Sequence, residues 1–239
     1  PVDITGNATG AIYHMVQDDV FHYIWVTSWK DLFAFRITKE GHLEQVDTSS
    51  FLTPGNKILY EIYKDKDGKL WVSAFDVESF IIDIRDYIVQ KYPLPDLRNQ
   101  LKANPAINSL CKDEDGIFWF SQDRYGLCIY DSRKEKLKHY SQCQGTRNLP
   151  FGDVTNIARS YNHNWIWATS YGPTVFGLSQ QNMEMKEDVR IELGNVTNNP
   201  GLITSLFEDP QNNLWIGTTT GLFVYPVSYT HLRAHETKA

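Results

Sequence analysis

No stretch of this chain approaches the roughly 20 consecutive apolar residues that a bilayer-spanning helix requires. Residues 1–10 carry neither the basic nor the apolar segment of a signal peptide. Neither an anchor nor an address is therefore expected, and no membrane contact by this segment. Lysine and arginine, 23 against 29 aspartates and glutamates, form no cluster, and the net charge is -6. Tracking a phosphate backbone needs concentrated positive charge, so nucleic acid is not an expected partner. Cysteine is scarce: Cys111, Cys128 and Cys143 show no CxxC spacing, and an odd number cannot form a complete set of internal disulfides. The histidines are scattered apart from His231 and His235 near the terminus, so neither a metal site nor a cofactor is expected.

What is present is material for strands. Apolar residues make up 41% of the chain and aromatics 13%, enough for a core and biased toward the residue types that favour extended backbone. Five tryptophans, Trp25, Trp71, Trp119, Trp167 and Trp215, follow one another at intervals of 46, 48, 48 and 48 residues. Each begins a short strand-like run closed by a small residue, as in Trp71-Val72-Ser73 and Trp167-Ala168-Thr169.

A turn precedes most of these tryptophans by six or seven residues. Asp65-Lys66-Asp67-Gly68, Asp113-Glu114-Asp115-Gly116 and Asp209-Pro210-Gln211-Asn212 consist of residues that accept tight or left-handed backbone. Apolar segments ahead of the turns, at 12–16, 58–63, 107–111, 154–158 and 202–207, read as a first strand. The tryptophan run is a second, segments such as 126–130 and 221–225 are a third, and 137–140 is an example of a fourth. Four antiparallel strands recurring about every 48 residues, with no helical periodicity between them, predict an all-β fold of about five four-stranded β-propeller blades. One blade cannot bury both its faces, so the tryptophan is expected to be a wedge between neighbours.

The runs Asp113-Glu114-Asp115-Gly116-Ile117-Phe118-Trp119-Phe120-Ser121 with Gly126-Leu127, and Leu214-Trp215-Ile216-Gly217-Thr218 with Gly221-Leu222, resemble the two-component regulator propeller repeat. Blades around Trp25 and Trp167 depart from it at the turn, with Asp18-Asp19-Val20-Phe21-His22-Tyr23 and Ser160-Tyr161-Asn162-His163-Asn164. Residues 11–226 are covered by the resemblance. It implies the periplasmic sensor region of a Bacteroides-type hybrid two-component histidine kinase, ligand-responsive, often to glycans, and self-associating in the parent protein. It also implies a seven-bladed ring, of which residues 1–226 would be an incomplete arc. Closure of five blades, with Val2 and Ile4 in a clasp strand, is the alternative. Residues 227–239 resemble a translated sequencing adapter and are expected to be a non-native tail.

Loops joining second and third strands emerge on one side of a blade. Trp29, Asp76, Asp123, Arg124, Tyr125 and Tyr171 fall in them and form the candidate ligand site, with Lys30, Asp31 and Glu78 nearby. Aromatic faces beside carboxylates suit an oligosaccharide or polysaccharide fragment, offering stacking and acceptors for hydroxyls. A solvated rim would use the same residue types. No catalytic residue is singled out. Asp76, Glu78 and Asp123 would have to converge for a polysaccharide-cleaving enzyme, and a protein-interaction platform without small ligand is the remaining reading. The Asp-x-Asp-Gly turns lack the later ligands of a calcium loop and are read as turn chemistry. Cys111 and Cys128 fall on the first and third strands of one blade, roughly 9–10 Å apart by strand spacing and too far for a disulfide.

Overall fold

A computed structural model of the protein describes residues 11–29, 31–48, 59–65, 67–74, 80–85, 88–91, 107–122, 126–140, 154–161 and 164–227. The backbone forms five antiparallel sheets in chain order. The first contains β1 (Ile12–Gln17), β2 (Ile24–Ser28), β3 (Leu32–Ile37) and β4 (Leu43–Val46). The second contains β5 (Leu59–Lys64), β6 (Lys69–Ala74), β7 (Phe80–Asp83) and β8 (Ile88–Lys91). The third contains β9 (Ile107–Lys112), β10 (Phe118–Gln122), β11 (Gly126–Asp131) and β12 (Lys136–Tyr140). The fourth contains β13 (Asn156–Arg159), β14 (Ile166–Thr169), β15 (Thr174–Gln181) and β16 (Glu184–Glu192). The fifth has three strands among the described residues, β17 (Ile203–Glu208), β18 (Asn213–Thr218) and β19 (Gly221–Pro226). Each strand predicted between residues 12 and 225 is present to within two residues, and the alternative clasp strand with Val2 and Ile4 lies outside the described residues. Strands are paired in sequence order, so each sheet is a meander whose second strand carries the tryptophan.

Two compact units divide the chain, residues 1–110 and 111–239, the division falling within β9. In the first unit, Trp25 is fully buried, in one cluster with Leu59, Ile62, Leu70 and Val72 of the second sheet. In the second unit, Trp167 is fully buried among Val175 and Val189 of its own sheet and Ile203, Leu214 and Ile216 of the next. Trp25 and Trp167 therefore each lie between their own sheet and the aliphatic face of the following one, whereas Trp215, expected to be a wedge as well, is 36% exposed because no described sheet follows the fifth. Burying the 150–250 Å² of an aromatic side chain at about 25 cal/mol per Å² contributes about 4–6 kcal/mol before entropy is counted.

Sheets covered on both faces lose the alternation of a half-exposed strand. Every residue of β11 and of β14 is buried. The outer strand β16 alternates instead: Val189 and Ile191 point inward while Lys186, Glu187 and Arg190 carry charge along the edge. Charges there discourage pairing with another strand.

The small residue two places after the tryptophan has a structural cause in the first, second and fifth sheets. The first strand bulges between Ile12 and His14 in the first sheet and between Leu59 and Ile62 in the second. There the Thr27 hydroxyl accepts the His14 amide (3.2 Å) and the Ser73 hydroxyl accepts the Glu61 amide (3.1 Å). Such a bulge leaves an unpaired amide, and a short hydroxyl satisfies it. The fifth sheet inverts the arrangement: Gly217 takes the hydroxyl position, and a Cβ there would lie 2.3 Å from the Ser205 oxygen on the bulged strand.

Cys111 and Cys128 are buried thiols on β9 and β11, the two strands flanking β10, and no disulfide joins them. Val227 is fully buried in the Trp167 cluster, and its amide donates to the Asn212 carbonyl (2.8 Å).

Candidate functional site

Of the six candidate ligand residues, Trp29 and Tyr171 are described, and Asp76, Asp123, Arg124 and Tyr125 lie outside the described residues. Trp29 follows β2 and belongs to the first unit, its side chain 53% exposed. Its amide donates to the Ala11 carbonyl (3.0 Å), and Asp31 is tied back by its amide to the Ser28 hydroxyl (3.1 Å), so the loop backbone is held while the indole faces solvent. Tyr171 occupies the equivalent loop between β14 and β15 in the second unit and is 62% exposed. Each offers a solvent-facing aromatic ring at the end of a hairpin.

The repeat tryptophans are organised by a partner that spacing alone does not reveal. Trp71 donates its indole N–H to Asp65 Oδ2 (2.8 Å), Trp119 to Asp113 Oδ2 (2.8 Å) and Trp215 to Asp209 Oδ2 (2.8 Å), each aspartate six residues earlier. The other carboxylate oxygen caps the hairpin turn, Asp65 Oδ1 accepting the Lys69 amide and Asp113 Oδ1 the Ile117 amide, both at 2.9 Å. One carboxylate thus closes the turn and anchors the indole of the next strand. That dual use explains why aspartate opens the turn and why Gly68 and Gly116 follow at positive φ, 80° and 77°. These contacts are turn chemistry, as the sequence predicts.

The first sheet reaches the same end with a longer turn. Asp18 Oδ1 accepts the amides of Val20, Phe21 and His22, while Oδ2 accepts the Tyr23 amide and the Trp25 indole (2.9 Å). The turn that departs from the Asp-x-x-Gly pattern therefore keeps its function, with a spacing of seven and His22 in the left-handed region at φ 58°.

The fourth sheet has Ser160 where the others have aspartate, and its partner comes from the following sheet. Trp167 donates to Glu208 Oε2 (2.5 Å), which also accepts the Ser160 hydroxyl (2.7 Å). Glu208 is 2% exposed. Further polar links join the third and fourth sheets. The Tyr140 hydroxyl donates to the Met183 carbonyl (2.6 Å), and Arg159 donates to Glu114 (2.8 Å).

Equivalent carboxylates differ in acidity because their cover differs. Burial, aided by the charge of Asp115, holds Asp113 above the usual aspartate range against the opposing hydrogen bonds from Trp119, Ile117 and Gln180. The indole of Trp215, with Asn213 and Gln211, holds the half-buried Asp209 below it.

Meander sheets that stack through an inserted indole define the protein as a β-propeller. Its fifth blade carries a two component regulator propeller repeat, the model of that family matching residues 199–220. The fold is that of the extracellular domain of a protein described as a one component system from B. thetaiotaomicron (20% identity, TM-score 0.59, 89% of this chain and 27% of that one). The extracellular domain of another, described as a hybrid two component system from the same organism, is similar as well (17%, TM-score 0.63, 92% and 29%). So is the β-propeller domain of Cps50 (Swd1) from Myceliophteria thermophila (11%, TM-score 0.61, 91% and 71%). The chain spans less than a third of the length of the two B. thetaiotaomicron structures. No curated protein matches it. Among the described residues no helix is long and apolar enough to cross a membrane.

Proposed function

We propose that the chain is a propeller segment of the extracytoplasmic, periplasmic region of a hybrid two-component sensor histidine kinase, non-catalytic in itself, and that it takes part in sensing an oligosaccharide or polysaccharide fragment. The observation that carries this reading is the two component regulator propeller repeat at residues 199–220. The extracellular domains of like fold lend it support. Trp29 and Tyr171 support the carbohydrate part, since a ring held on a fixed loop and open to water can stack on a sugar face. In this reading, ligand binding or contact between copies shifts the geometry passed to the kinase.

Calorimetry against a panel of oligosaccharides tests it. Saturable binding, weakened about tenfold by Trp29→Ala or Tyr171→Ala, is expected; such a loss is about 1.4 kcal/mol. New reducing ends on incubation would overturn it in favour of a polysaccharide-cleaving enzyme. Flat heats with retained self-association would overturn the carbohydrate part in favour of a protein-interaction platform.

A further inference from the structure

Within the first unit, the first strands of two successive blades are joined by one ion pair. His14 Nδ1 on β1 lies 2.8 Å from Glu61 Oε1 on β5, with the histidine side chain 39% exposed and the glutamate side chain 5%. Glu61 is also held from its own strand, where Oε1 accepts the Ile62 amide (3.1 Å). Its backbone amide donates to Ser73 Oγ on β6, and that hydroxyl donates to the Ile107 carbonyl on β9 (2.8 Å). A continuous hydrogen-bonded path thus runs from His14 through Glu61 and Ser73 to Ile107.

We propose that His14 and Glu61 form a pH-responsive latch between the first two blades, closed when the imidazole is protonated and loosened when it is neutral. A buried carboxylate is tolerated when a cation compensates it and is costly when left alone. Among the described residues nothing else supplies that cation. Strand β2, paired with β1, carries no charged residue in Ile24–Ser28. On β5 the titratable residues are Tyr60, Glu61, Tyr63 and Lys64, and Lys64 is engaged by Asp19 (2.6 Å). On β1 itself His14 is accompanied only by Tyr13 among titratable groups.

The titration has a definite sign. Burial lowers the His14 pKa, but the hydrogen bond and charge of Glu61 together outweigh it, and the group is held above its ordinary value. The pair's contribution is therefore fully present below the unfolded value of about 6.5 and is lost as pH rises through the higher folded value. Acidification tightens the blade seam and alkalinisation releases it, independently of any carbohydrate ligand.

Thermal melts of the full chain from pH about 5 to about 9, with the His14 ring followed by NMR, test the latch. Wild type is expected to lose about 2–4 °C of melting temperature through the His14 transition relative to His14→Gln, with Glu61→Gln abolishing the same increment and lowering the His14 pKa. Parallel melting curves for wild type and His14→Gln would overturn the proposal. So would a His14 ring titrating at or below about 6.5 in the wild type, a measurement that stands even where Glu61→Gln does not fold.

Discussion

Trp167 donates its indole N–H to Glu208, 2.5 Å away on the first strand of the next blade, whereas Trp25, Trp71, Trp119 and Trp215 each donate to an aspartate at the turn of their own blade. The fourth blade therefore depends on the fifth for a hydrogen bond that the other blades make alone. Ser160, standing where the others have aspartate, donates to the same Glu208 oxygen.

Removal of Glu208 takes away the acceptor of the buried Trp167 indole, and an unmatched buried donor costs about 1–3 kcal/mol. Glu208→Ala is expected to lower stability by about 1–3 kcal/mol in urea denaturation, and Glu208→Gln, which keeps one acceptor oxygen, by less. In a double-mutant cycle with Trp167→Phe the two changes should be strongly non-additive, because both delete the same contact. Additivity would mean that the carboxylate stabilises the blade by other means.

Gly177 on β15 lies opposite Trp167 on β14 and opposite Val189 on β16. A Cβ there would meet Val189 Cβ at 3.0 Å and the Trp167 ring at 3.3 Å. Neither neighbour can retreat, since Trp167 is fully buried and Val189 nearly so. Gly177→Ala should therefore cost about 1–3 kcal/mol by overpacking, and Val189→Ala should restore part of it. A neutral Gly177→Ala by thermal melting would show that the sheet relaxes around the indole.

Asp113 and Asp209 occupy the same repeat position and should respond to acid in opposite ways. The Asp113 pKa is raised, so its contribution is present below the unfolded value of about 3.9 and is lost as pH rises through the folded one. The Asp209 pKa is lowered, so its contribution is present above about 3.9 and is lost as pH falls through the folded one. Between pH about 5 and about 2, Asp209→Asn should show a shallower loss of stability than wild type and Asp113→Asn a steeper one. Indistinguishable acid limbs for the two variants would contradict this account.

Burial pushes the Cys128 thiol far above its ordinary pKa, and Cys111 is buried in the same sheet on β9, with β10 between the two. The reactive species is the thiolate, so neither residue should be alkylated in the folded protein at pH about 8. Mass spectrometry after iodoacetamide should find adducts at both positions only once denaturant has opened the blade. Rapid native labelling of Cys128 would show that the third blade opens locally.

The path from residues to fold was short where the determinants are local. The tryptophan spacing, the strand-like runs and the turn aspartates are each legible within about ten residues, because a meander pairs neighbours in sequence and a hairpin turn is decided by its own few residues. Asp65 and Trp71 could have been paired from their six-residue separation, which recurs at Asp113 and Trp119 and at Asp209 and Trp215. Trp29 and Tyr171 follow the tryptophan strands in sequence and so read as loop residues, whereas their exposure to solvent is a property of the folded hairpins.

Spacing and alternation along a short stretch of chain suffice for the repeat: five tryptophan-bearing strands and the order of the strands paired around them. Only the tertiary structure decided that Glu208 serves Trp167, that His14 faces Glu61 and that Val227 belongs to the core. Those residues meet through the stacking of one sheet on the next, and the distance along the chain between such partners, 41 residues for Trp167 and Glu208, carries no local pattern that a linear reading can detect.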